Sequence, residues 1–130
     1  MTVGNRHEPT VHEVIIALGT NTWHAANMIK AMTLLEDVMS GMKYSKELWT
    51  EPIGMTSGMF LNKLAKGYCR LEIEELHRRM KDIEHKCGRS EEEKRNGIVK
   101  IDIDILKYDD TICHAEDWKR EYIKTLMKEL

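Results

Sequence analysis

The sequence predicts an α+β domain built on an antiparallel sheet, and two patterns in the chain support this fold class. Some segments alternate apolar and polar residues with the two-residue period of a strand, most clearly GIVKIDIDILKY at residues 97–108. Others repeat apolar residues every three or four positions, which is the period of a helix. In chain order the segments read β-α-β-β-α-β with a final helix, which matches the ferredoxin-like split βαβ arrangement with helices on one face of the sheet.

The first half of the chain predicts two strands, one helix and a loop. EVIIALGTN at residues 13–21 is an apolar run closed by a Gly-Thr-Asn turn, which is typical of a buried strand. Residues 25–39 predict an amphipathic helix, since apolar residues recur there at helical spacing: Ala26, Ile29, Met32, Leu35 and Met39. Residues 42–49 predict a strand. TEPIGMTSG at residues 50–58 is predicted to be a loop, because proline and glycine break regular structure.

The second half predicts a long strand, a helix, a charged loop, the alternating strand and a last helix. Residues 59–71 predict a strand with one face formed by Phe60, Asn62, Leu64 and Lys66. From residue 72 the period changes to that of a helix, which Gly88 ends after Ile73, Leu76, Met80, Ile83 and Cys87. RSEEEKRNG at residues 89–97 is predicted to be a charged, mobile loop. Residues 117–130 predict an amphipathic helix with Asp117 as its N-cap.

The composition narrows the classes of function. The chain has 130 residues, which fits one domain, predicted over residues 13–130 after a flexible leader at residues 1–12. A net charge of −2 gives no sign of nucleic-acid binding, and no apolar run is long enough to span a bilayer. Three widely spaced cysteines without a CxxC pair predict neither a disulfide framework nor a zinc site, so we expect reduced thiols in a cytoplasmic protein.

Two carboxylates share one face of the alternating strand. Asp102 and Asp104 lie about 7 Å apart along it, from a rise of roughly 3.3 Å per residue. On a solvated face such a pair costs little, and Lys100 lies beside it, so a wet surface is one interpretation. A divalent-metal site is the other, because hard carboxylate oxygens suit Mg²⁺, which completes its coordination with water and substrate phosphates.

Five short motifs occur in order along the chain: IALGTN, WTEPIG, FLN, GR and IDIDIL. Together they resemble the hydroxymethyl-dihydropterin pyrophosphokinases of folate biosynthesis, over about residues 14–108. The resemblance implies a ferredoxin-like α/β sandwich that transfers the β,γ-pyrophosphoryl group of ATP to the hydroxymethyl oxygen of a pterin and releases AMP. It also implies ATP as co-substrate and two Mg²⁺ ions, in a reaction that depends mostly on positioning and charge neutralisation.

The resemblance assigns roles to residues at the matching positions. The expected metal ligands are Asp102 and Asp104, and the expected catalytic set adds Arg89 and Lys100. The expected pterin contacts are Thr50, Pro52, Ile53, Phe60, Asn62 and Tyr122. The expected ATP contacts are Lys81, Glu84, Arg89, His114 and Arg120. The two aromatic residues of the pterin set also suit an ordinary core, and Glu84 and Arg89 of the ATP set also suit a solvated surface.

The chain departs from the family pattern in two places. The arginine expected to assist transfer is absent, because where the family carries W-G-P-R this chain reads Asn96, Gly97, Ile98 and Val99. The candidate substitutes are Lys100, Lys94 and Arg95. The C-terminal segment is also short. Two alternatives to an active enzyme therefore stay open: a relative that binds nucleotide or pterin without transfer, and an interaction domain whose aspartates are surface charges.

Overall fold

The structure is a computed structural model that describes residues 10–52 and 58–130. The strands in these residues are β1 (His12–Thr20), β2 (Ser40–Tyr44), β3 (Leu48–Thr50), β4 (Phe60–Cys69), β5 (Asp102–Tyr108) and β6 (Thr111–Ile112). The helices are α1 (His24–Leu35), α2 (Ile73–Lys86), α3 (Glu91–Arg95) and α4 (Glu121–Met127), with a 3₁₀ turn at Asp117–Lys119. Among these described helices, none is both long enough and apolar enough to cross a bilayer. Residues 1–9 of the predicted leader and Ile53 of the predicted pterin contacts lie outside the described residues.

The strands form one antiparallel sheet in the order β2-β4-β1-β5-β6, with β3 also paired to β4. Strand β1 is central: it pairs with β4 on one side, and on the other side with β5, where Gly19 faces Asp102. Taken together, β2 and β3 occupy the position of a single edge strand. The order is then that of the split βαβ arrangement, so the predicted fold class is confirmed.

The prediction of a single strand at residues 42–49 was wrong, since this segment contributes to two strands, β2 and β3, with a break that starts at Ser45. The buried Ser45 bonds to Leu64 of β4 with both its backbone and its side chain. Its N–H donates to the Leu64 carbonyl at 2.9 Å, and its hydroxyl oxygen accepts from the Leu64 N–H at 2.9 Å. The hydroxyl replaces a ladder bond, so the chain can bend there without leaving Leu64 unsatisfied.

Apolar residues cover both faces of the sheet. The larger core lies under α1 and α2 and includes Ile16, Leu35, Leu61, Met80 and Ile103. The smaller core lies on the opposite face under α4 and consists of Ile15, Leu64, Leu106, Ile123 and Leu126. The alternation predicted for β4 is confirmed, because Leu61 and Leu64 enter different cores. The C-terminal helix therefore packs on the face that the other two long helices leave open.

The last predicted helix starts later than expected, and Asp117 is not its N-cap. A 3₁₀ turn at Asp117–Lys119 comes first, and α4 begins only after Arg120, whose backbone is extended. The cause is Trp118, whose indole N–H donates to the carbonyls of Leu106 and Cys113, each at 3.1 Å. These bonds hold the turn against β5 and force a change of direction before α4.

The segment predicted as a mobile loop contains the short helix α3, which was missed. Ser90 is its N-cap, and the Ser90 hydroxyl oxygen accepts from the backbone N–H of Glu93 at 3.1 Å. Three glutamates occupy its first turn and two cations its last, as the helix dipole favours. None of its residues is buried. The following strand also begins later than the alternation predicted, at Asp102, because Val99 pairs instead with Asn21.

Candidate active site

Two cavities lie beside strand β5. The first, here called the cleft, has a volume of about 250 Å³ and is lined by residues that include Gly19, Asn62, Asp102, Asp104 and Tyr122. The second, here called the groove, has a volume of about 730 Å³ and runs between α2 and β5. Asp104 lines both cavities. Ligands in the two cavities would therefore both lie next to this residue.

The electrostatics of Asp104 are unfavourable for a negative charge. Burial, followed by the nearby charge of Asp102, raises the pKa of Asp104 from 3.8 to about 6. The imidazole Nε2 of His114 lies 3.9 Å from the Asp104 carboxylate and lowers that pKa only in part. Two close, partly desolvated carboxylates of this kind are stabilised by a bound cation. Within the described residues no cluster of three His, Cys, Asp or Glu side chains forms a complete metal site.

A buried charge network supports the first of the two carboxylates. Arg89 donates through Nη1 to Asp102 Oδ1 at 2.7 Å, and the same nitrogen lies 2.9 Å from Glu84 Oε2. Glu84 is 2% exposed, and its Oε2 also accepts from the backbone N–H of Ile103 at 2.7 Å. Burial lowers the pKa of Arg89, but the charges of Glu84 and Asp102 outweigh it and hold the pKa above its usual value. The guanidinium therefore remains charged and ties α2 to the start of β5.

Glu84 was expected to contact ATP, and the structure surrounds its carboxylate with protein groups. Besides Ile103 and Arg89, the ammonium of Lys81 lies 3.3 Å from Glu84 Oε1. The side chain lines neither the cleft nor the groove. The Glu84 carboxylate is thus occupied by Arg89, Lys81 and the Ile103 N–H, and its contact with ATP stays a prediction.

The predicted pterin residues meet on one wall of the cleft, apart from Ile53, which is not described, and Pro52, which does not line it. The amide nitrogen of the buried Asn62 donates to Thr50 Oγ1 at 2.8 Å and to the Leu48 carbonyl at 3.1 Å. A Cβ on Gly19 would lie 3.4 Å from Asn62 Oδ1 and 3.6 Å from the Phe60 ring. Glycine thus keeps the floor of the cleft open beside an amide oxygen that faces it.

Tyr122 is placed both as a core residue and as a residue of the cleft. It is half-buried and packs against the core under α4, and it also lines the cleft. Burial, then the charge of Asp117, raises its pKa. Arg120, predicted to contact ATP, lines this cleft and not the groove. Its Nε donates to Asp117 Oδ1 in the cleft at 3.1 Å. The acidic Asp117 is a cleft residue that the sequence did not single out as more than a helix cap.

Two of the other predicted ATP residues lie along the groove, whereas Arg89 lines neither cavity. Lys81 and His114 line the groove, together with apolar side chains such as Ile73, Met80 and Ile105. His114 adopts a left-handed backbone conformation, with φ of 51°, in the segment that follows β6. The groove thus has an apolar wall, and it is also lined by four basic side chains (His77, Arg78, Lys81 and His114) and by the acidic Glu74 and Asp104.

The cations proposed to replace the missing arginine occupy different places. Lys94 of α3 lines the cleft with both aspartates. Lys100, expected to be catalytic, lies outside the cleft: its ammonium is 3.4 Å from Glu93 Oε1 and packs next to Gly88. Arg95 is exposed and lines neither cavity. The sequence could not rank these cations, because their placement depends on how α3 is anchored.

The structure is thus an α+β sandwich in which two aspartates of one strand line a cleft and one of them also lines a second cavity. Comparison with known proteins agrees with this class. The model of the family 7,8-dihydro-6-hydroxymethylpterin-pyrophosphokinase matches residues 15–130, and the chain belongs to this family. A curated relative, the folate synthesis bifunctional protein of Arabidopsis thaliana, is 34% identical over 125 residues, covering 88% of this chain and 26% of the relative. The chain thus spans about a quarter of the length of that relative.

Proposed function

We propose that this protein transfers the pyrophosphoryl group of ATP to the hydroxymethyl group of 6-hydroxymethyl-7,8-dihydropterin, giving AMP, in folate biosynthesis. One observation carries the proposal: Asp104 lines both the cleft and the groove. A reaction that joins two substrates needs their reacting atoms close together, since fixed proximity supplies much of the rate enhancement. Family membership supports the same assignment.

The cleft is the proposed pterin site. A pterin is flat, with donors and acceptors along one edge. Both amide hydrogens of Asn62 are already donated to Thr50 and Leu48, so its Oδ1 is the atom that can accept from a donor on that edge. Thr50 holds this amide in place through its hydroxyl. Phe60 and Tyr122 line the same cleft and supply apolar ring surface for the heterocycle. A volume of about 250 Å³ suits a two-ring compound better than it suits a nucleoside triphosphate.

The groove is the proposed ATP site. Its apolar wall suits a nucleobase, and Lys81 and His114 suit phosphate oxygens. At its inner end ATP would bring its β-phosphate to Asp104. Arg89, held by Glu84, lies beside Asp102, where its guanidinium can balance the charge that develops during transfer.

Two Mg²⁺ ions are the proposed cofactors, and the donor set fits them. Asp102 and Asp104 offer hard carboxylate oxygens, and Asp104 carries a raised pKa that a cation would lower again. With two protein ligands, the remaining positions belong to water and phosphate oxygens, which is the usual way in which Mg²⁺ binds nucleotides. When bound, Mg²⁺ neutralises phosphate charge and holds the transferred group in line with the attacking oxygen.

The proposed compartment is the cytoplasm. Cys69 and Cys87 are buried unpaired thiols, and Cys113 is a partly exposed one. Unpaired thiols of this kind persist in a reducing compartment.

The test is AMP release from ATP and Mg²⁺ with and without the pterin. We expect pterin-dependent AMP from the natural protein, a loss of at least ~10²-fold in Asp104→Asn, and unchanged turnover in Asp110→Asn, a variant of an exposed turn aspartate. A second candidate function has its own support, because Ile98 and Val99 stand where the family has proline and arginine. This second candidate is a protein that binds nucleotide or pterin without transferring a group. Mg²⁺-dependent ATP binding without any AMP release would favour it. Neither binding nor turnover would mean that the aspartates are surface charges.

A further inference from the structure

Asn21 holds the chain at the end of the segment that carries α3. Its backbone N–H donates to the Val99 carbonyl at 3.0 Å, and its side-chain Oδ1 accepts from the Val99 N–H at 2.7 Å. Its side-chain Nδ2 donates to the Gly97 carbonyl at 2.7 Å. One residue at the end of β1 therefore makes three hydrogen bonds to residues 97–99. A side-chain amide that reproduces a strand ladder in this way fixes both the distance and the direction of the partner segment.

The other end of the same segment is held by Arg89. Its guanidinium is bonded to Glu84 and Asp102, and its side chain is 10% exposed. Between these two anchors α3 has no buried residue. Its position over the cleft is therefore set by its ends, since burial of its own side chains contributes little.

Lys94 is the cation that this arrangement brings to the reacting groups. It lines the cleft with Asp102 and Asp104. In the described part of the chain its ammonium has no carboxylate within 4.0 Å, whereas the ammonium of Lys100 has Glu93 at 3.4 Å. Asp104 lines both cavities, so phosphates of ATP bound in the groove would reach the cleft at this residue. An unpaired ammonium there gains more from binding them than a paired one does, because it gives up no existing partner.

We propose that Lys94 is the catalytic cation that contacts the phosphates during transfer, and that Asn21 is the residue that positions it. This inference rests on the proposed function. The family's arginine that assists transfer is replaced by Val99 in this chain, and the inference assigns its role to Lys94 of α3. Lysine supplies a point charge without a planar fork, so it can follow a phosphate oxygen over a range of geometries.

The first test compares lysine variants in two assays. We expect Lys94→Met to lower kcat roughly 10²-fold, with Lys94→Arg restoring most of it, while Lys30→Met, which changes an exposed lysine of α1, has no effect. We expect Lys94→Met also to weaken calorimetric binding of a non-hydrolysable ATP analogue with Mg²⁺ about fivefold. Unchanged kcat in Lys94→Met, or a larger loss in Lys100→Met, overturns the inference.

These two assays separate the inference from the proposed function. If the natural protein releases no AMP, the proposed function fails and the analogue-binding assay alone decides the role of Lys94. Weaker binding in Lys94→Met than in Lys30→Met then supports the contact with phosphate. Equal binding in the two variants contradicts it.

The second test asks whether Asn21 acts through Lys94. Asn21→Asp keeps the acceptor for the Val99 N–H but places an oxygen against the Gly97 carbonyl, so we expect kcat to fall while KM for the pterin changes little. In the double variant, Asn21→Asp should lower kcat no further than Lys94→Met alone does, because both substitutions remove the same contribution of Lys94. The matched control is Asn27→Asp, which loses a similar 2.7 Å bond to the Thr22 carbonyl without touching the loop. Additive losses of kcat for Asn21→Asp and Lys94→Met would show that Asn21 does not position Lys94.

Discussion

Replacing Asp104 by asparagine should stabilise the metal-free protein at neutral and alkaline pH. Folding raises the pKa of this carboxyl from 3.8 to about 6, so the folded state binds its proton more tightly than the unfolded state does. That difference corresponds to at most ~3 kcal/mol of destabilisation by the ionised group, at 1.36 kcal/mol for each pH unit. The side chain is 35% exposed, and solvent screening reduces the expected figure to about 1 kcal/mol.

The pH dependence follows from the sign of this difference. Above about pH 6 the carboxyl is ionised in both states and the full penalty applies, whereas below 3.8 it is protonated in both and the penalty is gone. Asp104→Asn should therefore gain about 1 kcal/mol in the free energy of unfolding at pH 8, which is roughly 4 °C in Tm for a chain of this size. Near pH 3.5 the variant and the natural protein should unfold alike.

The assay is urea unfolding in a chelating buffer at several pH values, with Asp110→Asn as the control for removing an exposed carboxylate. With Mg²⁺ and a non-hydrolysable ATP analogue, the natural protein should become more stable than Asp104→Asn, because ligand binding strongly stabilises only the natural protein. Lower stability of Asp104→Asn at pH 8 without metal would refute the reasoning. A gain that is the same at pH 3.5 and pH 8 would refute it as well, since the cause would not be ionisation.

Three further changes test other parts of the structure. Glu84→Gln should lower the free energy of unfolding, measured in urea, by about 2 kcal/mol. This is less than the ~3–5 kcal/mol usual for breaking a buried ion pair, because Arg89 keeps its bond to Asp102. An unchanged free energy of unfolding would mean that the bonds of Glu84 add nothing to stability. Trp118→Phe should cost about 1 kcal/mol in the same assay by removing the donor to two carbonyls. Asn62→Ala should weaken calorimetric pterin binding about tenfold, and unchanged affinity would move the pterin out of the cleft.

Local patterns in the sequence predicted the central strands and the carboxylate pair. The alternation around Asp102 and Asp104 places both side chains on one face of β5, and the structure puts both into the cleft. The apolar periodicity after residue 72 likewise predicted α2. These features depend on neighbours a few positions away, which is the range over which strand and helix periods act.

The features that the sequence did not predict depend on distant partners. The break at Ser45 follows from its two bonds to Leu64, and the late start of α4 follows from the bonds of Trp118 to Leu106 and Cys113. A local signal did exist for α3, because Ser90 and Glu93 have the spacing of a capping box. The charged composition of the segment nevertheless led to the prediction of a mobile loop.

The residues of the candidate site were predicted through the resemblance, and their arrangement required the structure. Local sequence does not distinguish Lys94 from Lys100, because the positions of these two lysines depend on the anchors at Asn21 and Arg89. Likewise the sequence could not show that Glu84 is buried and accepts from the Ile103 N–H.

The most direct test of the central claim is the mass of the pterin after incubation with ATP and Mg²⁺. The claim is that two adjoining cavities bring the pterin hydroxymethyl group to the β-phosphate of ATP. It predicts a pterin product that has gained two phosphoryl groups together, formed in equal amount with AMP. A pterin that gains a single phosphoryl group with release of ADP, or one that gains none, would contradict the account.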